Sequence, residues 1–225
     1  MVKQERAART REALVRAAAE VFAEEGFVTA SISVISRRAG VSAGALHFHF
    51  ASKTALAQAV EDRAARALRG IIPVTAGRRP AQPAAGGGFL QVLVDSTHAL
   101  MALLAHDAVV RAGFGLCADP SWSGGVDLRR QWRLWVEEAV AAAAREGSLA
   151  GGLAHQDAAR GVVAATVGLE VLGACDREWV EPHTLTRFWA LMLPRLAAEA
   201  TLGALLPQGS PAGTPVPRSG TTESD

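Results

Sequence analysis

Apolar residues recur every three or four positions along most of the chain, which is the spacing of amphipathic helices. Alanine is abundant and tyrosine is absent, and this composition also favours helices over strands. We therefore predict an all-α fold of about nine helices. The predicted helices span residues 3–25, 32–39, 43–49, 51–70, 89–105, 108–117, 128–145, 155–175 and 182–206.

Changes in this pattern divide the chain into an N-terminal domain, residues 1–54, and a larger helical domain, residues 55–206. Residues 71–88 are rich in Pro, Gly and Ala without any period, which predicts either a mobile flap near the mouth of the larger domain or a disordered loop. Residues 207–225 contain too few apolar side chains to pay for their own ordering, so we predict a disordered tail.

The stretch 31–53 predicts two short helices with a tight turn between them. Ser31 and Ser42 are good N-cap residues, and Gly40 lies where a left-handed residue usually ends a helix. The second helix, about 43–49, is too short to persist alone. This arrangement is typical of a helix-turn-helix, whose second helix enters a DNA major groove. The alternative is an ordinary helical hairpin inside an all-helical domain.

Small and polar residues occupy the outward face of this second helix: Ser42, Ala43, Gly44 and His47. Small residues let a backbone approach DNA closely, and Ser, His and main-chain N–H groups can bind phosphates or base edges. Lys53, at the start of the next helix, is a further candidate for a phosphate contact.

The charge distribution also favours DNA binding by the N-terminal domain. The whole chain of 225 residues has a net charge of only +1, but residues 1–53 carry +3 and the remainder carries −2. Five of the first sixteen residues are Lys or Arg. They form either a solvated helix end or an arm along the phosphate backbone.

The remaining composition predicts a cytoplasmic protein. The start of the chain is charged throughout, so it does not resemble a signal peptide. We find no apolar run of the ~18 residues that a membrane span needs, because the longest candidate, 161–175, contains Thr166 and Glu170. Cys117 and Cys175 lie in apolar surroundings and are predicted to be buried thiols in a reducing compartment.

Catalytic and metal-binding patterns are weak, so we predict neither an enzyme nor a cofactor. No nucleophile lies beside a base in the sequence. Asp95 precedes His98 by about one helical turn, but no clear third ligand follows, and we predict no metal site. Glu170, in an apolar helix, is the carboxylate most out of place and is a perturbed acid, a ligand-binding group or a dimer contact.

Two patterns in the larger domain suggest a cavity and a self-association surface. Trp132 and Trp135 share one helical face, which is either ordinary core or the aromatic wall of a ligand cavity. Helix 155–175 is apolar nearly all round, so one side can cover the core while the other needs a partner. We predict a homodimer formed through the last two helices, about residues 156–203.

The helix-turn-helix stretch resembles the signature of the tetracycline-repressor-like (TetR) family of transcriptional regulators. The matching residues are Gly40, Val41, Ser42, Gly44, Leu46, His49, Phe50, Lys53 and Leu56. The resemblance implies DNA contacts from Thr10, Ser31, Ser33, Ser42, Ala43, Gly44, His47, Phe48, His49 and Lys53. His47 replaces the usual Tyr and Ala43 replaces a frequent Lys, so we expect a modest or strongly salt-sensitive affinity.

The larger domain resembles the γ-butyrolactone receptor group of actinomycetes. The similar stretches are Val110-Arg111-Ala112-Gly113 with Leu116, Trp132 fifteen residues before Gly147, Ala165-Thr166-Val167-Gly168, and Met192-Leu193-Pro194. The resemblance implies a homodimeric repressor of antibiotic or secondary-metabolite genes. A small hydrophobic signal, such as a butyrolactone, butenolide or furan, would release it from operator DNA.

Within this resemblance Trp132 matches the pocket tryptophan of the group and Thr166 the position that often hydrogen-bonds the signal. We place the ligand between predicted helices five, seven and eight, against Leu93, Thr97, Val110, Phe114, Trp132, Val136, Thr166 and Glu170. The chain departs from the group in residues 71–88 and at Ala64, where a polar pocket residue is often seen. A pseudo-receptor that responds to an antibiotic or to no ligand therefore stays open, as does activation in place of repression.

Overall fold

The computed structural model describes residues 2–73 and 88–211, and within these residues the named elements are all helices joined by loops. Its helices are α1 (Val2–Thr29), α2 (Ile32–Arg38), α3 (Ala43–His49), α4 (Lys53–Ile71), α5 (Gly88–His106), α6 (Ala108–Ala118), α7 (Leu128–Arg145), α8 (His155–Gly173), a 3-10 helix (Arg177–Val180), α9 (Pro182–Leu196) and α10 (Glu199–Leu202). The all-α prediction is confirmed. Most of the predicted loop 71–88 lies outside the described residues.

Helices α1–α3, called the head below, fold as the local signals predict. The Ser31 hydroxyl accepts the Val34 N–H at 3.3 Å, and the Ser42 hydroxyl accepts the Ala45 N–H at 3.1 Å, so both N-caps are confirmed. Gly40 has a φ of +67°, the left-handed conformation that turns the chain between α2 and α3. Leu46 is fully buried and anchors α3 to the other two helices.

Helix α6 is the element on which the head and the body, α5–α10, meet. It packs against α1 of the head and against α4, the helix that joins head to body. The approach to α4 is close, because a Cβ atom built on Gly113 would lie only 2.5 Å from the Cβ of Ala64 and 3.0 Å from Leu128 Cδ1. A residue without a side chain is therefore required at this crossing.

Two helix boundaries differ from the prediction for local reasons. Gly26 was expected to end the first helix, and it does break the regular geometry with a φ of +76°, but helical turns resume and α1 ends at Thr29. The last predicted helix, 182–206, is interrupted because Ala197 is extended, so that α9 ends at Leu196 and the short α10 follows.

The start of the predicted disordered tail is held on α5, so this part of the prediction is wrong. The Gln91 side chain bonds both main-chain groups of Leu206, with Leu206 N donating to Oε1 at 2.8 Å. Asp95 accepts the Ser210 N–H at 2.7 Å, and His98 Nε2 lies 2.9 Å from the Pro207 carbonyl. Polar side chains of α5 thus order a segment with little apolar surface. Residues 212–225 lie outside the described residues.

Two further expectations from composition are corrected. Helix α5 is long and apolar enough to cross a membrane, which the search for apolar runs missed. Most of its apolar residues are buried in the helical body, as in the core helix of a globular protein. Cys175 is exposed rather than buried, because it follows the end of α8, whereas Cys117 is half-buried.

The close crossing of α4 and α6 yields a stability prediction. We expect Gly113→Ala to lower the free energy of unfolding by about 1–3 kcal/mol, because the added methyl group overlaps Ala64 and Leu128. Gly115→Ala is the matched control on the same helix, since its Cβ would meet no atom within 4 Å and alanine favours helix. Urea unfolding of both variants measures the difference, and equal or raised stability of Gly113→Ala would contradict the close packing.

Candidate functional site

The outward face of α3 presents the side chains that the sequence predicts for DNA contact. Ser42, Ala43, Gly44 and His47 are exposed, and the Phe48 ring is 84% exposed. His49 is half-buried, and its ring lies 5.3 Å from that of Phe48 in an edge-to-face arrangement. A large apolar ring this exposed on a short helix is an expected feature of a contact surface.

Helix α1 supports this surface from the side. The Arg11 guanidinium lies 5.0 Å from the centroid of the Phe50 ring, which places the basic start of α1 beside the end of α3. The Thr10 hydroxyl donates to the Arg6 carbonyl at 3.0 Å. Ser31 and Ser33 lie at the start of α2 with their hydroxyl oxygens 3.0 Å apart. Direct DNA contacts from Thr10, Ser31 and Ser33 stay predictions.

Lys53 has a different role from the one expected. Its ammonium group donates to the carbonyls of Phe27, Val28 and Ala30 at 2.7, 3.0 and 2.9 Å, and it lies 4.6 Å from the centroid of the Phe27 ring. These bonds use all three ammonium hydrogens. The carbonyls at the end of α1 have no hydrogen-bond donor within the helix, and the ammonium group of Lys53 supplies the donors. We therefore assign Lys53 to holding the turn between α1 and α2 rather than to a phosphate.

The structure brings the two main ligand candidates of the body together. Trp132 Nε1 donates to the Thr166 hydroxyl at 2.9 Å, and that hydroxyl donates to the Val162 carbonyl at 2.9 Å. Trp132 and Thr166 are each only 1% exposed. Their polar atoms are therefore satisfied by each other inside the core, which is what a buried indole requires.

The other predicted ligand residues of α5, α6 and α7 are also buried in the core: Leu93, Thr97, Val110, Phe114 and Val136. A residue that the sequence analysis missed accompanies them. Trp189 on α9 is fully buried, and its Nε1 donates to the Thr97 hydroxyl at 2.7 Å. The apolar spacing of α9 placed Trp189 inward, but only the packing of α9 on α5 reveals its partner.

Glu170 is separated from this group and forms an ion pair. The Arg129 guanidinium donates to both of its carboxylate oxygens, from Nε at 2.9 Å and from Nη2 at 3.1 Å. This hydrogen bonding raises the pKa of Arg129. Both carboxylate oxygens of Glu170 thus have a partner, and Glu170 lines a cavity between α1, α6 and α8 that none of the other seven predicted ligand residues lines.

The sequence analysis also missed a contact between the loop after α6 and the head. Trp122 in this loop lies 4.8 Å from Phe27, measured between ring centroids, and its Nε1 donates to Glu61 Oε1 at 2.6 Å. Glu61 on α4 is 2% exposed, and its Oε2 has no hydrogen-bond partner among the described residues. Burial raises the pKa of Glu61, because the charged carboxylate loses its hydration. The sequence indicated this contact only through the position of Glu61 on the inward face of a predicted helix.

Comparison with known proteins matches the head to a described family. Residues 14–60 match the family model of bacterial regulatory proteins, tetR family. The chain is 31% identical over 214 residues to the A-factor receptor protein of Streptomyces griseus. This alignment covers 93% of this chain and 71% of that protein. The similarity thus extends from the helix-turn-helix through the body.

Solved structures share the whole fold. A crystal structure of a γ-butyrolactone receptor (ArpA-like protein) aligns with a TM-score of 0.72 and 26% identity, covering 90% of this chain and 98% of that chain. The TetR family protein CprB from Streptomyces coelicolor, in complex with its operator sequence, aligns with a TM-score of 0.68 and 26% identity, covering 88% of this chain and 96% of that chain.

The buried Glu61 yields a prediction about pH. Because the pKa of Glu61 is raised in the folded state, the folded protein binds a proton at Glu61 more tightly than the unfolded chain does. The stability that this proton contributes is lost as the pH rises from the ordinary pKa of 4.5 through the raised pKa of the folded state. Glu61→Gln keeps the acceptor for Trp122 without this charge. We expect the urea midpoint of Glu61→Gln to rise relative to that of the wild type as the pH increases from 5 to 8.

Glu138→Gln is the matched control, since Glu138 is an exposed carboxylate on α7 whose charge does not act on the pKa of Glu61. Its midpoint should keep a constant offset from the wild type over this pH range. A Glu61→Gln offset that stays constant, or that shrinks as the pH rises, would contradict the buried charge.

Proposed function

Because the chain belongs to the tetR family of bacterial regulatory proteins, we propose that it is a transcriptional repressor released from operator DNA by a small γ-butyrolactone-like signal. Members of this family regulate transcription and are not enzymes, in agreement with the sequence analysis. The proposal extends to control of antibiotic or secondary-metabolite genes in the cytoplasm, at the nucleoid.

The observation that carries the DNA-binding part is the outward face of α3. Its small residues permit close approach to a major groove, and His47 and Ser42 offer polar atoms there. Phe48 is exposed beside them, and an aromatic ring can contact the methyl group of thymine. The buried Leu46 and Phe50 fix the opposite side of α3, so the face has a defined direction.

A homodimer would present two such faces to one operator. On α8 and α9, Val171, Leu172 and Leu191 are 47%, 45% and 74% exposed, and no described residue covers them further. These apolar side chains support self-association through the last two helices. Two α3 helices spaced by about 34–36 Å would then match successive major grooves of a pseudo-palindromic site.

Release by a ligand follows from linkage between the body and the head. A ligand that fits only a body conformation with the two α3 helices at the wrong spacing lowers DNA affinity, and DNA weakens ligand binding by the same factor. A coupling of ~1–3 kcal/mol corresponds to roughly 5–150-fold. We propose that the signal enters next to Trp132 and Thr166, whose mutual hydrogen bond it replaces.

The second candidate is a pseudo-receptor that responds to an antibiotic or to no ligand. One observation favours it: the predicted ligand residues of α5, α6 and α7 are all buried in the core, and the polar atoms of Trp132 and Thr166 are already paired. A body filled by its own side chains is what such a regulator requires. The two candidates share the DNA-binding face and differ in whether a lactone releases it.

We expect His47→Ala to weaken operator binding by roughly 5- to 150-fold, since a lost base or phosphate contact costs ~1–3 kcal/mol. The probe is labelled DNA from upstream of the chain's own gene, titrated in fluorescence anisotropy at fixed salt. His106→Ala is the matched control, because His106 is an exposed histidine at the end of α5. Unchanged affinity of His47→Ala with an intact dimer in sedimentation would remove His47 from the interface.

An acylated γ-butyrolactone is titrated into the complex with this DNA, and the concentration that releases half of the DNA is measured. We expect Trp132→Phe to raise this concentration by about 5-fold or more, because a hydrogen bond to the ligand is worth ~1 kcal/mol. Phenylalanine keeps an aromatic ring in the core and removes only the indole N–H. Trp179→Phe is the control, since Trp179 is 41% exposed. If the lactone fails to release the wild type and an antibiotic does so, the pseudo-receptor is supported instead.

A further inference from the structure

A cavity of about 320 Å³ lies where the head meets the body, away from Trp132 and Thr166. Phe22 and Phe27 of α1 form the wall on the head side. Leu104 and Leu116 and the 3-10 residue Val180 form apolar parts of the wall on the body side. The volume falls at the lower end of the ~300–1,000 Å³ of small-molecule sites, whose walls are mostly apolar with a few placed polar groups.

One such polar group is the guanidinium of Arg111 on α6. Its Nη1 donates to the carbonyls of Leu104 and Ala105 at 3.1 and 3.0 Å, at the end of α5. A guanidinium has five N–H donors, so three remain. They make no hydrogen bond, and Arg111 makes no ion pair, with any described residue. Arg111 is thus a half-buried cation whose orientation is set by two carbonyls and whose other donors have no partner in the part of the chain that the structure describes.

The two carboxylates in the wall are already occupied. Glu170 accepts hydrogen bonds from two nitrogens of Arg129, Nε and Nη2. Asp119 accepts the N–H and the hydroxyl of Ser121, which lowers its pKa. Asp119 also lies eight residues from Arg111 along α6, a distance of roughly 12 Å at the ~1.5 Å rise of a helix. The end of the cavity near Arg111 is therefore the end with an uncompensated positive charge.

We propose that this cavity is a second small-molecule site, which binds an amphipathic carboxylate. The carboxylate pairs with the free N–H groups of Arg111, since a guanidinium in fixed orientation matches two carboxylate oxygens. The apolar part of the ligand lies against Phe22, Phe27 and Leu116, which are available on opposite walls. An amphipathic cation is disfavoured, because its charged group would be repelled by Arg111.

Because the cavity lies between the head and the body, we expect its ligand to affect DNA binding, and this expectation rests on the proposed function. The cavity wall combines α1 of the head with α6 and α8 of the body. A bound ligand therefore contacts both the head and the body. It changes the free-energy difference between the DNA-bound and the free form of the protein if it binds the two forms with different affinities. By linkage, a ligand bound more tightly in the free form lowers DNA affinity.

The test titrates the full chain with decanoate by isothermal calorimetry below its micelle concentration. Decyltrimethylammonium, with a chain of the same length and the opposite charge, is the control ligand. We expect decanoate to bind at one site per chain and decyltrimethylammonium to bind at least 10-fold more weakly. Equal binding of both compounds, or no binding of decanoate, overturns the proposal.

Two variants locate the site. Gly115 lines the cavity within α6, and a Cβ there would meet no atom within 4 Å, so Gly115→Leu extends a side chain into the space without a clash. We expect decanoate to bind this variant at least 10-fold more weakly. Gly70→Leu is the matched control, because Gly70 is an exposed helical glycine of α4 that also has open space and lies outside this cavity wall. Wild-type affinity in Gly115→Leu overturns the location.

Arg111→Lys tests the guanidinium, since lysine keeps the charge but not the paired donors. We expect a several-fold weaker binding of decanoate, whereas Trp132→Phe binds it like the wild type. Anisotropy with operator DNA then measures the consequence: decanoate weakens DNA binding of the wild type and not of Gly115→Leu. If the chain binds no DNA, the proposed function fails while calorimetry still decides the site. If decanoate binds without any effect on DNA, the site stands and its regulatory role is overturned.

Discussion

The rest of the structure depends on the close packing of α6 between α1 and α4. Gly113 has no side chain, and this lets α6 approach Ala64 of α4 to a distance that any Cβ would prevent. Because α1 belongs to the head and α4 joins the head to the body, one helix of the body sets the orientation of both. A close-packed crossing cannot deform continuously, so a shift of α6 is transmitted to the head rather than absorbed.

The end of α1 is the second point at which head and body are coupled. Lys53 holds its carbonyls from the start of α4, and Trp122 packs on Phe27 from the loop after α6. The Trp122 indole is in turn bonded to Glu61, a buried carboxylate whose second oxygen has no partner within residues 2–73 and 88–211. These polar contacts are costly to break, because each would leave a desolvated group without a partner. The head is thereby held at one end while the outward face of α3 stays free.

Inside the body, buried polar pairs specify which helices meet and in which register. An indole N–H inserted into the core needs an acceptor, and Trp132 finds Thr166 on α8 while Trp189 finds Thr97 on α5. These bonds are directional, whereas the surrounding apolar contacts are not. The charged pair of Arg129 and Glu170 adds a second link between α7 and α8. Two of these pairs occupy the polar atoms of Trp132, Thr166 and Thr97, beside which a lactone was expected, and this supports the pseudo-receptor as the second candidate.

Features that depend on residues close together in the chain could be predicted from the sequence alone. The caps at Ser31 and Ser42, the left-handed Gly40 and the exposed face of α3 follow from local conformation and periodicity, so they could be predicted. Only the tertiary structure decided the partners of Lys53, since the carbonyls that it bonds lie 23 to 26 residues earlier in the chain. It also decided the docking of residues 206–210 on α5 and the cavity beside Arg111. Such features arise where distant elements meet, and spacing along one helix carries no information about which element lies opposite.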